Sequence, residues 1–193
     1  MRVEGLTSNT GEVFAGVAEL RNEQHQPPDD LIQIARVLAS NVLAIQFLNP
    51  QCVAGELHLL SAAQNAWNAW SGDYAIARAL DVEIILYASA QRQIKTAFAV
   101  MGLESGLDSV GVVVVAESKQ SAEDALRRLE QEVGANVENP FQMSDERLGR
   151  IQHFFKIPES EMDAIAKSDT LGDRWTALVR CVVSRVSLVA TEA

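Results

Sequence analysis

Two groupings of side chains in this 193-residue chain have types and spacing that invite chemistry. Cys52 and His58 stand six positions apart and are the residue types of a thiol activated by an imidazole. Such pairs work by geometry, which this spacing does not determine. Free cysteine behaves mainly as a small hydrophobe, so a buried cysteine and a helix histidine is the better reading. The second grouping is Ser89-Ala90-Gln91-Arg92-Gln93 with Lys95 close behind, a small, polar and cationic interruption between two apolar runs with no acid in it. With Ser89 as cap of a following helix, the first turn presents Gln91, Arg92, Gln93 and Lys95 beside unpaired N–H groups at the positive end of the helix dipole. That end suits a phosphate, and the amides suit base edges or ribose hydroxyls of an unpaired RNA end. The plainer alternative is a polar turn joining two buried helices, with two solvated cations.

Other chemistry is hard to assemble. Gly102, Gly106 and Gly111 are irregularly spaced and no Gly-Lys-Ser/Thr occurs, so neither a phosphate loop nor a dinucleotide fingerprint is present. His25 and His153 have no cysteine or histidine partner at metal-ligand spacing, so no metal and no cofactor is expected. Glu123, Asp124, Glu130 and Glu132 read as a solvated helix face. No catalytic residues are assigned.

The elements that must position these groups follow from patterning. Half the chain is apolar (48%) and 22% is charged, enough for one substantial core, so residues 1–193 read as one domain. A formal charge of −10 repels polyanions on average, which argues against DNA or anionic-membrane binding and makes any phosphate contact local. Two cysteines, no export signal and no run near the roughly 20 apolar residues of a membrane span point to a cytoplasmic protein.

Arg2 to Leu6 and Glu12 to Leu20 read as a hairpin around the turn-rich Thr7-Ser8-Asn9-Thr10-Gly11. A helix follows over about 29–40, then a strand in "NVLAIQFLNP" whose two apolar faces read as central. Over 56–70, Leu57, Leu60 and Trp67 form one stripe, and Leu59, Ala63, Ala66 and Trp70 another, so that helix should be buried on most of its circumference. Leu80, Ile84 and Ala88 keep helical spacing, although Ile84-Ile85 also suits a strand. Ile94, Ala97, Phe98 and Met101 mark the next helix, with Gly102 at its C-cap. "SVGVVVVAE" is a strand covered on both faces. Helices then start at Ser121, Ser144 and Pro158, and a last helix through Leu171, Trp175, Leu178 and Val182 passes into the β-rich Val186-Ser187-Leu188-Val189, which suits a terminal edge strand. The class is α+β, a small mixed or antiparallel sheet covered by several helices.

The order of these segments carries a resemblance. "LNPQCVAGELHLLSAAQNAW", then "EIILYASAQRQIKTAFAVMGL", the buried "VGVVVVA", "SDERLGRIQHFFKIPESEMDAI" and "LVRCVVSRVSL" together resemble the small kinase-binding regulatory subunit of the KEOPS complex, which makes threonylcarbamoyladenosine in tRNA. The resemblance runs from about Ala44 onward. It places the family's Gly-x-x-His-Leu-Leu on Gly55, His58, Leu59 and Leu60, and its Ser-Gly-x-Arg-Gln-Ile on Ser89, Arg92, Gln93 and Ile94. Ala90 stands where the family has glycine, at odds with a positive φ there.

The resemblance implies a non-catalytic accessory subunit that docks on the complex's atypical small kinase and helps hold the unpaired 3′ CCA end of tRNA. RNA contacts are then expected from His58, Ser89, Gln91, Arg92, Gln93 and Lys95. The kinase interface is expected on the apolar side of the second helix, at Val100, Met101 and Leu103, where Val100 and Leu103 lie off the buried stripe. Two rivals stay open: a kinase regulator with no RNA role, and a small hydrolase or transferase using Cys52 and His58.

Overall fold

The computed structural model describes residues 1–7, 9 and 11–190. β1 (Arg2–Leu6) and β2 (Val13–Arg21) pair antiparallel, with Arg2 opposite Val17 and Leu6 opposite Val13. Ser8 and Thr10 of the predicted turn lie outside the described residues. α1 (Pro28–Leu38) opens with proline in its first turn and Asp29 and Asp30 at the positive end of its dipole. β3 (Ala44–Leu48) is followed by α2 (Glu56–Ser71), α3 (Leu80–Ala88) and α4 (Ile94–Met101), and β4 (Ser109–Ala116) returns to the sheet. α5 (Lys119–Val133), α6 (Asp145–Phe154), α7 (Glu159–Ile165) and α8 (Leu171–Leu188) complete the chain. The fold is α+β, with one four-stranded antiparallel sheet in the order β1-β2-β4-β3.

Alternation along the strands sends side chains into two cores. Val113 and Val115 of β4, with Val13, Ala15 and Val17 of β2, share one core with α2, α3 and α8, the last of which packs on α2. Val110, Val112 and Val114 meet Leu31 of α1 and Leu126 and Leu129 of α5 on the other. The valines from Val112 to Val115 are wholly out of water, and such burial stabilises by about 1.5–3 kcal/mol per side chain. Gly16 lets α5 approach β2, since a Cβ there would come within 2.8 Å of Leu126.

Four expectations are corrected. β3 is an edge strand, not a central one; all five residues are buried because helices cover both faces, which imitates the pattern of a central strand. On α2, Leu57 and Trp70 face solvent while His58, Leu59, Leu60, Ala63 and Trp67 turn inward. The cap of α5 is Ser118, whose hydroxyl accepts from the Ser121 N–H at 3.0 Å. No strand forms over Val186 to Val189: α8 runs to Leu188, because Val182, Val186 and Val189 complete an inward helical stripe.

Candidate functional site

The interruption between α3 and α4 folds as a tight corner. Ser89 is the C-cap of α3, and its buried hydroxyl donates to the Ile85 and Leu86 carbonyls at 2.7 and 3.1 Å. It does not cap α4, whose cap residue is Gln93 and which has no side-chain cap. The leading N–H groups of a helix have no intrahelical acceptor, so this end of α4 keeps its partial positive charge. Ala90 takes φ +51°, the left-handed conformation in which a Cβ costs about 1–2 kcal/mol. The chain therefore turns at alanine where the resembling pattern has glycine.

Arg92, Gln93 and Lys95 project into solvent, with Gln91 half-buried beside them. Among the described residues neither cation pairs with a carboxylate. Arg92 Nη1 donates to the Val189 carbonyl at 2.6 Å, at the negative end of α8. A guanidinium has five N–H donors, so this bond orients Arg92 and leaves others for a ligand. Part of the remaining positive charge is neutralised: Arg174 meets Glu159 and Asp163, and Arg185 grips Glu161 through two 2.8 Å bonds.

His58 is fully buried and cannot touch RNA in this conformation. Its Nδ1 accepts from the Ala54 N–H at 3.1 Å and its Nε2 lies 2.7 Å from the Ala88 carbonyl. The first bond requires an unprotonated Nδ1, so Nε2 carries the hydrogen and donates. Burial lowers the imidazole to about 4, opposed by the bond to Ala88, and the ring packs edge-on to Phe155. The histidine thus ties the loop before α2 to the end of α3 and supports the corner from beneath. Ser89 is likewise buried and supports the corner without facing solvent. With both ring nitrogens engaged, His58 has no free base for Cys52, and burial raises that thiol above its ordinary value.

The apolar side of α4 also differs from expectation. Met101 is sealed in the core, and Val100 and Leu103 are half-buried against the two cores. Ile94 and Phe98 are instead 46% and 40% exposed, because the short helix lies on α3 and turns only Ala97 and Met101 fully inward. Gly102 ends it in an extended conformation, with no positive φ; glycine is required because a Cβ would stand 2.3 Å from the Phe98 carbonyl.

Three buried acidic or basic side chains were not legible in the sequence. Glu83 accepts from the N–H groups of Ile76 and Ala77 at 3.1 and 2.6 Å. Glu19 accepts from the Ser109 hydroxyl at 2.7 Å and from the Phe141 N–H. Arg147 donates to the carbonyls of Pro50, Val53 and Gln142. Nothing in their sequence neighbourhoods separates them from the solvated charges on other helices. Among the described residues no three His, Cys, Asp or Glu side chains converge to hold a metal, and no helix is long and apolar enough to cross a membrane.

The features on offer are surfaces for contact: a cationic corner, and an apolar face on the helix that follows it. Residues 29–190 match the family model of kinase binding protein CGI-121, and the chain belongs to that family. A comparison with curated proteins finds no match.

Proposed function

We propose that this protein is the kinase-binding accessory subunit of a KEOPS-type tRNA-modifying complex, holding the complex's atypical small kinase and steadying the 3′ CCA end of tRNA during threonylcarbamoyladenosine formation. Membership of the kinase-binding family supports the first part. The observation that carries the second is the corner at Gln91, Arg92, Gln93 and Lys95. Two exposed cations without carboxylate partners among the described residues, two amides and an uncapped helix N-terminus meet there, on a chain of net charge −10. On such a chain this local concentration of donors suits one or two phosphates and an unstacked base, while partners neutralise the rest of the RNA. His58 and Ser89 serve this reading as supports of the corner. The kinase contact belongs on the outward side of α4, led by Ile94 and Phe98 with Val100 and Leu103 at its margin and Met101 holding the helix from below.

The test is a tRNA shift assay with the full chain, using intact tRNA and tRNA trimmed of its CCA end, alongside capture of the candidate kinase. Weak binding that needs the CCA end and is lost in Arg92→Glu is expected. Equal binding of both tRNAs removes the RNA role and leaves a kinase regulator. Failure to capture the kinase removes the other half.

A further inference from the structure

A cleft between the end of β2 and the start of α6 brings a buried acid and a buried base together without pairing them. It holds about 460 Å³, with Glu19 and Arg147 inside, Gln142 and Ser144 beside them, and Arg150 and Glu146 at its mouth. Glu19 is 8% exposed and Arg147 9%. Neither makes an ion pair among the described residues. The Glu19 carboxylate is met by the Ser109 hydroxyl and the Phe141 N–H, and Arg147 only by backbone carbonyls, with its buried Nε–H lacking an acceptor among the described residues. Its bond from Nη1 to the Gln142 carbonyl is long, at 3.4 Å.

Opposite charges withdrawn from water ordinarily close on one another, because their contact offsets the cost of losing hydration. Here they stay apart. Burial lowers the Arg147 pKa and the field of Glu19 opposes that shift, so the two charges sense each other across the cleft. Phe141 touches both: its N–H donates to Glu19, and its ring centre lies 5.9 Å from the guanidinium carbon. It does so at φ +56°, a left-handed conformation that strains an aromatic residue. At the mouth the charges cancel, since Arg150 bonds Glu146 at 2.7 Å. The inner pair therefore decides what the cleft accepts.

We infer that this cleft binds a small zwitterion of the free α-amino acid class, with its carboxylate on Arg147 and its ammonium on Glu19. A guanidinium carries five N–H donors and the three carbonyls leave some over, while each carboxylate oxygen of Glu19 keeps a lone pair beyond the one bond it accepts. The Ser144 hydroxyl accepts from the Arg147 backbone N–H at 3.2 Å and keeps its own hydrogen for the ligand carboxylate. A ligand with one charge satisfies one buried group and leaves the other. The site shares no residue with the cationic corner and is tested without RNA or kinase.

The test titrates the full chain by calorimetry with free amino acids, acetate and inorganic phosphate, then with the N-acetyl and carboxamide derivatives of the amino acid that binds. At least one amino acid should bind saturably, and blocking either its amine or its carboxylate should weaken it at least roughly tenfold. Amide NMR shifts on binding should centre on Phe141, Gln142 and Ser144. Glu19→Gln should erase the preference for the free over the acetylated amine, whereas a change that merely disturbs the fold weakens both forms alike. Because the derivative series uses the wild-type chain, it decides the matter even if Glu19→Gln fails to fold. Absence of binding by every amino acid would overturn the proposal. So would acetate or phosphate binding as tightly as the amino acid, which marks a site for anions alone, or amide shifts confined to other parts of the chain.

Discussion

His58 spans two segments that only the fold brings together, accepting from the Ala54 N–H through Nδ1 while its Nε2–H donates to the Ala88 carbonyl 2.7 Å away. The bond from Ala54 requires an unprotonated Nδ1, and burial keeps the ring neutral by lowering its pKa to about 4 from an unfolded value near 6.5. The unfolded chain therefore binds a proton that the folded chain refuses. Stability from this group is complete above pH 6.5 and declines as pH falls toward 4, by about 3 kcal/mol in all. Urea unfolding of the wild type across that range should show the loss, and His58→Gln should show a smaller slope on a lower plateau. Parallel pH profiles for the two proteins would refute this role.

Ala90 holds φ +51° one residue after the C-cap of α3. Ala90→Gly removes the Cβ clash while loosening the unfolded chain, for a net gain of about 0.5–1 kcal/mol. The urea midpoint should rise at unchanged slope, and a lower midpoint would contradict the assigned conformation.

Arg147 is a buried cation whose Nη1 and Nη2 donate to the carbonyls of Pro50, Val53 and Gln142, while its Nε has no partner among the described residues. Arg147→Met leaves these carbonyls without donors and should cost about 2–4 kcal/mol. Arg147→Lys should recover only part of this, because an ammonium lacks the planar fork that reaches several acceptors at once. Thermal unfolding of the two variants should rank lysine between methionine and the wild type.

Arg92 and Lys95 have no carboxylate partners among the described residues, so changing them should leave the fold intact apart from the Arg92 bond to the Val189 carbonyl at the end of α8. Arg92→Glu should weaken tRNA binding by at least about tenfold, and Lys95→Ala should flatten its salt dependence by roughly 0.7 in logarithmic slope, the loss of one single-strand phosphate contact. Circular dichroism should be unchanged in both, and a tRNA affinity indifferent to both substitutions would remove the corner from the binding site.

The helices and the buried β4 were legible because each repeats one local rule. Ile94, Ala97, Phe98 and Met101 recur at helical spacing, and Val112 to Val115 form a β-branched run that suits little but a covered strand. Local rules failed where two environments write the same pattern. An edge strand between helix layers is as apolar as a central one, so β3 was misplaced. A valine-rich segment serves a buried helix as well as a strand, so the pattern of Val186 to Val189 suits either, and in the fold α8 continues to Leu188. Ser89 can cap the helix after it or close the helix before it, and only the hydrogen bonds to Ile85 and Leu86 distinguish the two.

Composition and order alone determined the α+β class, the acidic surface and an acid-free cationic stretch from Ser89 to Lys95, because these depend on residue type and on neighbours in the chain. Which of those residues meet solvent depended on segments distant in sequence. His58 and Ser89 were drawn beneath the corner, Arg92 was set against the end of α8, and Ile94 and Phe98 displaced Met101 as the exposed apolar face. Burial is a property of what packs against a side chain, and in this protein that is supplied from 30 or more positions away, as His58 to Ala88 and Arg92 to Val189 illustrate.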